Sequence, residues 1–332
     1  MKYNGAYYRV SIIIPCYNAS KYIEQCINSV LQQDYPNIEI VVVDDGSSDD
    51  SLQKLQKFKD KIILLEQSNS GACVARNKGL DISTGEYIKF LDADDYLADN
   101  IISAQVKQLN ELDQQSIVYG DYTLVYRNSN ILHKNKIVNN SCGMAELFEN
   151  DLLTSTPLHR KQLLQNIDGF DERFKHGQEW NLHIRLAASG VKFIYYADNI
   201  YFYRIHNSVD RISVGKKFDA EYEVKKVMMT WDYIKKLQVD DIETQKIIAK
   251  KIWLIGRMDF QSNCNKEVAL KYFKLAHDIY PDVLNLFSKK YRILSTLIGK
   301  FNTEKVVSRM KRILGSKNIF IDCKDQVSEK NR

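Results

Sequence analysis

Over its first hundred residues the chain alternates short apolar, β-branched runs with segments whose apolar positions recur at the helical period. Residues 10–14 form a buried-strand run ended by Pro15, and Ile23, Ile27, Val30 and Leu31 then follow at helical spacing. Residues 38–43 are a continuous β-branched run, the pattern of a strand covered on both faces, and residues 51–58 return to helix. Further strands are predicted at 62–66 and 86–91, separated by a helix that begins near Gly71. This order predicts a mostly parallel sheet built from right-handed crossovers.

After Asp99 the pattern becomes mixed. Residues 101–112 read as helix, 117–126 as a strand and 131–138 as its hairpin partner. The segment 163–170 leads through Asp171-Glu172-Arg173-Phe174 into a helix over 178–188 that Gly190 ends, with Glu179 in its first turn. Two aromatic-rich strands are predicted at 191–196 and 200–205. Beyond Lys217 every segment reads as helix, at 218–237, 242–261, 266–279, 284–301 and 303–314. The expected boundary lies near Gly215, giving an α/β unit at 1–215 and a helical region at 216–332.

At 332 residues with 44% apolar and 27% charged positions, the chain can bury a substantial core in two domains. No apolar stretch approaches the roughly 18 to 20 residues of a spanning helix, and a strand rather than a signal-peptide apolar region follows the start. Cys16, Cys26, Cys73, Cys142, Cys264 and Cys323 lack C-x-x-C spacing, which argues against zinc or a disulfide framework and fits a reducing cytoplasm. The six histidines show no H-E-x-x-H spacing, so a zinc hydrolase is not expected. The net charge of +5 is unevenly placed: from Lys289 onward twelve Lys or Arg face four Asp or Glu, a net of +8, which leaves −3 for the rest. A basic tail on a mildly acidic body favours an anionic surface as partner. No nucleic-acid partner is expected.

Two acidic clusters carry the chemistry. Asp44-Asp45 closes one strand run, and Asp92-Ala93-Asp94-Asp95 closes another. Carboxylates at the ends of parallel strands sit where open α/β sheets bind ligands, and they point to a divalent cation beside an anionic ligand. Together with Ile14-Pro15-Cys16-Tyr17-Asn18, Val43-Asp44-Asp45-Gly46-Ser47-Ser48-Asp49 and Ala75-Arg76-Asn77, they resemble family 2 glycosyltransferases of the inverting, bacterial polysaccharide type. The likeness covers roughly residues 8 to 215 and implies a GT-A fold, a Rossmann-like nucleotide-diphosphate-sugar-binding sheet, here with a C-terminal helical appendage.

The resemblance assigns roles position by position. Pro15, Tyr17 and Asn18 fall at the donor, where Tyr17 offers an aromatic face to the base, and Asp45 accepts the uracil N–H. Asp92-Ala93-Asp94 matches the DxD element, Asp92 lying near ribose or metal and Asp94 holding Mg²⁺ or Mn²⁺ against the diphosphate. Asp95 is expected to cap a helix starting near Tyr96. Arg76 and Asn77 are placed for phosphate or base contact, and His206 and Arg211 belong to a segment that closes over the donor. The family's usual Glu-Asp before Trp is replaced by Gln178-Glu179-Trp180, so Glu179 stands in the place of the general base.

The expected activity is inverting transfer of a monosaccharide, from a UDP-linked or other nucleotide-sugar donor, to a hydroxyl of a glycan or lipid-linked glycan in cell-surface polysaccharide synthesis. A sugar-nucleotide nucleotidyltransferase would carry a basic Gly-rich loop after its first strand, where this chain has Pro15-Cys16-Tyr17-Asn18. A non-catalytic nucleotide-sugar-binding relative would not need Asp45, Asp92, Asp94 and Glu179 together. Phe287, Tyr291, Leu294, Ile298 and Phe301 form an apolar stripe beside Lys289, Lys290, Arg292 and Lys300, and Val306, Val307, Met310, Ile313 and Leu314 repeat it. The stripes pack on protein, a second subunit of a homo-oligomer included, or lie on the anionic inner face of the plasma membrane as a peripheral anchor.

Overall fold

The computed structural model describes residues 2–3, 6–126, 129–133, 143–206, 218–263 and 265–314. Arg211, Cys142, Cys264 and Cys323 lie outside the described residues, as does the second half of the predicted 131–138 strand. The chain divides into two compact units, Met1–Lys216 and Lys217–Arg332.

In the first unit a two-residue hairpin, β1 (Lys2–Tyr3) and β2 (Ala6–Tyr7), precedes β3 (Val10–Cys16), α1 (Ile23–Leu31), β4 (Ile38–Asp44), α2 (Ser51–Gln56), β5 (Ile63–Glu66), α3 (Ala72–Ile82) and β6 (Tyr87–Phe90). Then come β7 (Tyr96–Leu97), α4 (Ile101–Asn110), β8 (Ser116–Tyr126), β9 (Ser129–His133), α5 (Met144–Glu149), β10 (His159–Arg160), α6 (Lys161–Gln165), α7 (Gln178–Ala188) and β11 (Lys192–Arg204). The main sheet has the order β10-β6-β3-β4-β5, parallel except for the antiparallel edge strand β10. Its centre is dry because β3, β4 and β6 carry apolar residues on both faces: Ile12, Ile14 and Val42 pack with Ile27 and Val30 of α1. On the opposite face α3 approaches so closely that a Cβ on Gly79 would fall 2.4 Å from the Ile13 side chain, which excludes any larger residue there.

A second sheet, β7-β11-β8-β9, starts directly after the acidic turn that follows β6. The two predicted aromatic strands form the single strand β11, parallel to β8, with shifts in register between Tyr195 and Tyr201 where Gly120 admits the backbone oxygens of Tyr196 and Asp198. The helix expected near Tyr96 is instead a short strand paired to Tyr201 and Phe202, because the chain must cross from one sheet to the other before α4 begins at Ile101.

The second unit comprises α8 (Ala220–Lys236), α9 (Ile242–Asn263), α10 (Lys266–Ile279), a 3-10 turn at Val283–Leu286, α11 (Lys289–Ile298) and α12 (Lys300–Leu314). The predicted helix over 284–301 is broken at Ser288, which caps α11 through Tyr291 N, and at Gly299, whose φ of 77° belongs to the left-handed region. Of the stripe expected either to pack on protein or to lie on a membrane, Phe287, Tyr291 and Phe301 meet this unit's core. Phe287 and Tyr291 are buried against Trp253, and Phe301 packs on Phe260 and Phe273. Glu304, fully buried, lies 2.7 Å from Arg257 Nε as an ion pair and accepts from Tyr291 and from Gln261, so the apolar packing encloses a paired charge. The side chains of Met310, Ile313 and Leu314 lie outside the described residues. Among the described residues no helix is long and apolar enough to cross a membrane.

One buried feature of the first unit yields a measurable consequence. His183 of α7 and His159 of β10 stack at 6.1 Å, both fully enclosed, and His183's ring nitrogens have no partner. Burial pushes His183 down to about 3 and His159 well below the ordinary imidazole value, His183 and Lys89 adding to the latter. Folded-state values below the unfolded ones mean stability is full above about pH 6.5 and falls as the unfolded chain takes up protons. Between pH 6.5 and 5 the buried neutral His183 ring is expected to cost about 1.5 kcal/mol, and His159 acts in the same direction. Lys89, pushed down to about 7, is protonated in both states over most of that window, and the depressed carboxylates of Glu39, Asp49 and Asp171 respond only at lower pH. Thermal melts from pH 7.5 to 5 should fall steeply in the natural chain and less so in His183→Phe; equal slopes would contradict the assignment.

Candidate active site

The site follows from strand order. In the order β5-β4-β3-β6 the direction of winding reverses between β3 and β6, the position at which open sheets leave a crevice beyond their carboxyl ends. Residues 15–20 leave β3 there and residues 91–95 leave β6. Pro15 is accommodated in a central strand because β6 pairs with β3 only as far as Ile13, so no partner on that side needs its missing N–H.

The loop after β3 is laced to the loop after β4. Asn18, at φ 49°, accepts from Ser48 N at 2.8 Å and donates its own N–H to Ser47 Oγ at 3.0 Å; Ala19 N reaches Ser51 Oγ and Ser20 N reaches Asp49. Tyr17, one residue earlier, is 40% exposed, so its ring is available to a planar ligand. Asp45 is buried and accepts from Gln67 Nε2, Ser70 N and Gly71 N at 2.8, 2.8 and 2.9 Å. It fixes the 67–71 loop at the start of α3, leaving about one of a carboxylate's four acceptor positions for a base. Gly46 at φ 75° allows this approach, since a Cβ there would stand 2.8 Å from Asn69 N.

The acidic turn after β6 is held at each carboxylate by a different segment. Asp92 Oδ1 accepts from Arg76 of α3 at 2.7 Å. Asp94 Oδ2 meets His206 Nε2 at 2.9 Å, and the His206 ring lies 4.6 Å from Tyr22. Asp95, 1% exposed, accepts from Arg204 N at 2.9 Å, so it ties β11 to the turn and caps no helix; the residue before α4 is Asn100. The Arg204 guanidinium donates to the Asp94 carbonyl and to Gln25, between the faces of Tyr96 at 4.6 Å and Tyr22 at 5.2 Å.

Arg76 links this turn to α7. Buried, and 5.2 Å from the Phe170 ring centroid, it donates to Asp92 and, at 2.7 Å, to Gln178 Oε1. Gln178 Nε2 in turn reaches the carbonyls of Phe174 and Lys175. Glu179 follows in the first turn of α7, and burial, reinforced by the charge of Asp151, raises its carboxyl above the ordinary range. Such an environment suits a carboxylate that has to take up a proton near neutrality.

The structure thus gathers Asp92, Asp94, Arg76, Gln178 and His206 through direct contacts, with Glu179 adjacent to Gln178. Asn77 is turned elsewhere: its amide bonds both N and O of Phe170 and also Glu172. Arg204 and Tyr22 carry no role in the family pattern, although Arg204 lies two residues before His206, at the start of the segment expected to close over the donor. Among the described residues no group of three or more His, Cys, Asp or Glu side chains is placed to hold a metal ion. Asp94 with the neighbouring imidazole offers two donors, enough for a cation whose shell is completed by phosphate oxygens and water.

Comparison with known proteins gives the family and the fold. The family model for glycosyl transferase family 2 matches residues 11–185, more than half of the chain, and the chain belongs to that family. It is 29% identical over 231 residues to the glycosyltransferase GlyA of Streptococcus pneumoniae, covering 64% of this chain and 33% of GlyA. It is 29% identical over 213 residues to GlyG of the same organism, covering 59% and 70%, and 35% identical over 204 residues to an uncharacterized glycosyltransferase of Rickettsia typhi, covering 58% and 63%. The chain therefore spans only a third of GlyA's length. Among solved structures, S. aureus TarS in complex with UDP-GlcNAc superposes with a TM-score of 0.70 at 20% identity over 92% of each chain, which establishes a common fold.

Arg204 anchors the acidic turn without itself being positioned as a ligand. Arg204→Ala removes the donor to the Asp94 carbonyl and is expected to lower activity or metal affinity by roughly 10- to 100-fold, the usual effect of a group that orients a ligand. Titrating Mn²⁺ against activity in the variant checks this; an unchanged titration would show that the turn holds its shape without Arg204.

Proposed function

We propose that this chain transfers a monosaccharide from a UDP-sugar to a hydroxyl of a glycan or lipid-linked glycan acceptor, with inversion at the anomeric carbon. The observation that carries it is the chain of contacts from Asp94 through the turn to Asp92, Arg76 and Gln178, ending beside Glu179. That chain sets an anion-handling centre next to a carboxylate of raised proton affinity. Family membership and the UDP-GlcNAc complex of the structural neighbour TarS support a nucleotide-sugar donor.

Each residue then has a task. Tyr17 presents its face to the base, and the remaining acceptor position of Asp45 takes a base N–H. Arg76 pairs with Asp92 and orients it, and Arg204 with Asp95 holds the turn in register with β11. Glu179 accepts the proton of the acceptor hydroxyl as that oxygen attacks the anomeric carbon and the bond to the diphosphate breaks, a single displacement that inverts the centre. Asp94, with His206 beside it, is the group that would hold Mg²⁺ or Mn²⁺, and a bound ion would offset the charge that develops on the departing diphosphate. Asp151, near enough to influence Glu179, lies in the 143–156 segment, which we assign to the acceptor side.

Screening nucleotide-sugars for protection against heat unfolding, with and without Mn²⁺, identifies the donor; no protection by any of them would overturn the donor assignment. Glu179→Gln should bind donor as the natural chain does and turn over roughly 10² to 10⁴ times more slowly. Because the Glu179 carboxyl is raised, the acid limb of the natural chain's rate profile should lie above the ordinary carboxylate range and vanish in the variant. Turnover equal to the natural chain would remove Glu179 as base. Asp94→Ala should abolish transfer while leaving the melting temperature nearly unchanged, since a partly exposed turn carboxylate contributes little packing; full activity would exclude the metal-assisted route.

A further inference from the structure

The helical unit contains a cleft of about 310 Å³ between the start of α8, the end of α9 and the face of α10, lined in part by Phe218, Asp219, Glu221, Asp259, Lys271 and Tyr272. Its size is that of a small-ligand site. Two of its three carboxylates have local tasks. Asp219 caps α8 by accepting from Tyr222 N, and Glu221 complements the positive end of the same helix.

Asp259 has no such task. It is 5% exposed, its Oδ1 accepts from Asn263 Nδ2 at 2.7 Å, and its Oδ2 has no hydrogen-bond partner. It also lies near the C-terminal end of the 22-residue α9, where the helix dipole is negative and the last turn carries no basic side chain. A buried carboxylate with a bare oxygen at that end is unfavourable on both counts and calls for a cation.

The kind of cation follows from the other walls. At about 310 Å³ the cleft is far larger than a bare metal ion needs, so it suits a larger cation that fills volume as well as supplying charge. Tyr272, 3% exposed, lines the cleft, and the Lys271 ammonium already stands 5.8 Å from its ring centroid, so the ring attracts this class of charge in the structure itself. The carboxylates all act on Tyr272, whose hydroxyl is raised by burial and then by Glu221, Asp259 and Asp219. With three acidic groups against one lysine the lining is net negative.

We propose that this cleft binds a small organic ammonium group, Asp259 accepting from the N–H donors, Tyr272 and Phe218 covering the carbon skeleton, and Glu221 screening the charge at the mouth. The same ammonium chemistry occurs in a free polyamine and in an amino sugar, and the test separates the two. Calorimetric titration of the full chain with putrescine, with glucosamine and with MgCl₂ should show saturable binding of at least one amine and none of Mg²⁺ at the cleft. Putrescine alone would identify a polyamine-type site, glucosamine alone an amino-sugar site. Asp259→Asn should weaken the binding at least tenfold, which is about 1.4 kcal/mol, and the exposed Glu221→Gln should weaken it less while leaving the melting temperature unchanged. Lys271→Met, by removing the internal competitor, should tighten it. The proposal fails if neither amine binds saturably, if both acidic variants bind as the natural chain does, or if Mg²⁺ displaces the amine. Donor protection by UDP-sugars in Asp259→Asn keeps this outcome distinct from that of the first unit's activity.

Discussion

Asp92, Asp94 and Asp95 stand within four residues of one another at the end of a buried strand, and their mutual repulsion has to be answered for the turn to exist. Each carboxylate is answered from a different part of the chain: Arg76 on α3, His206 after β11, and the backbone N–H of Arg204 on β11. The turn is also the crossing between the two sheets, since β6 ends before it and β7 begins after it. One set of charge-assisted contacts therefore fixes both the meeting of the sheets and the shape of the anion-handling centre. Two guanidinium groups near three carboxylates leave a negative remainder at the turn.

The main sheet was legible in the amino-acid pattern because its strands are covered on both faces. Continuous β-branched runs at 10–14 and 38–43 cannot serve an exposed sheet, and the helical spacing between them allows only crossovers. The candidate site was legible for a related reason, since the acidic clusters immediately follow those runs and strand ends converge in a parallel sheet. Interactions that depend on distant segments were not legible. Nothing local to Asp95 tells that its carboxylate is spent on a backbone N–H 109 positions away, and nothing local to Asn77 tells that its amide is committed to Phe170.

The tail shows a different limit. Periodicity identifies an apolar stripe but not what covers it. Phe287 and Tyr291 repeat at helical spacing whether they meet lipid or Trp253, and the deciding facts are Trp253 and Arg257 on α9, some 30 to 40 positions earlier. Glu304 gives the one retrospective signal. A carboxylate among the basic residues of the last segment is poorly explained by an anionic surface and well explained by an enclosed partner such as Arg257.

Gln178 shows how the family pattern and the local physics fit together. Where the family pattern places an acid before the proposed base, this chain has a neutral amide, which accepts from Arg76 as an acid would and in addition donates to the carbonyls of Phe174 and Lys175 just before α7. An acid in that place would share the Arg76 charge with Asp92 and add a negative neighbour to Glu179, whose proton affinity burial has already raised. With the amide, Arg76 gives its charge to Asp92, and the proton affinity of Glu179 is set by burial and Asp151 rather than by residue 178. The amide keeps the acceptor contact to Arg76 while removing one charge, so it tunes the centre without dismantling it.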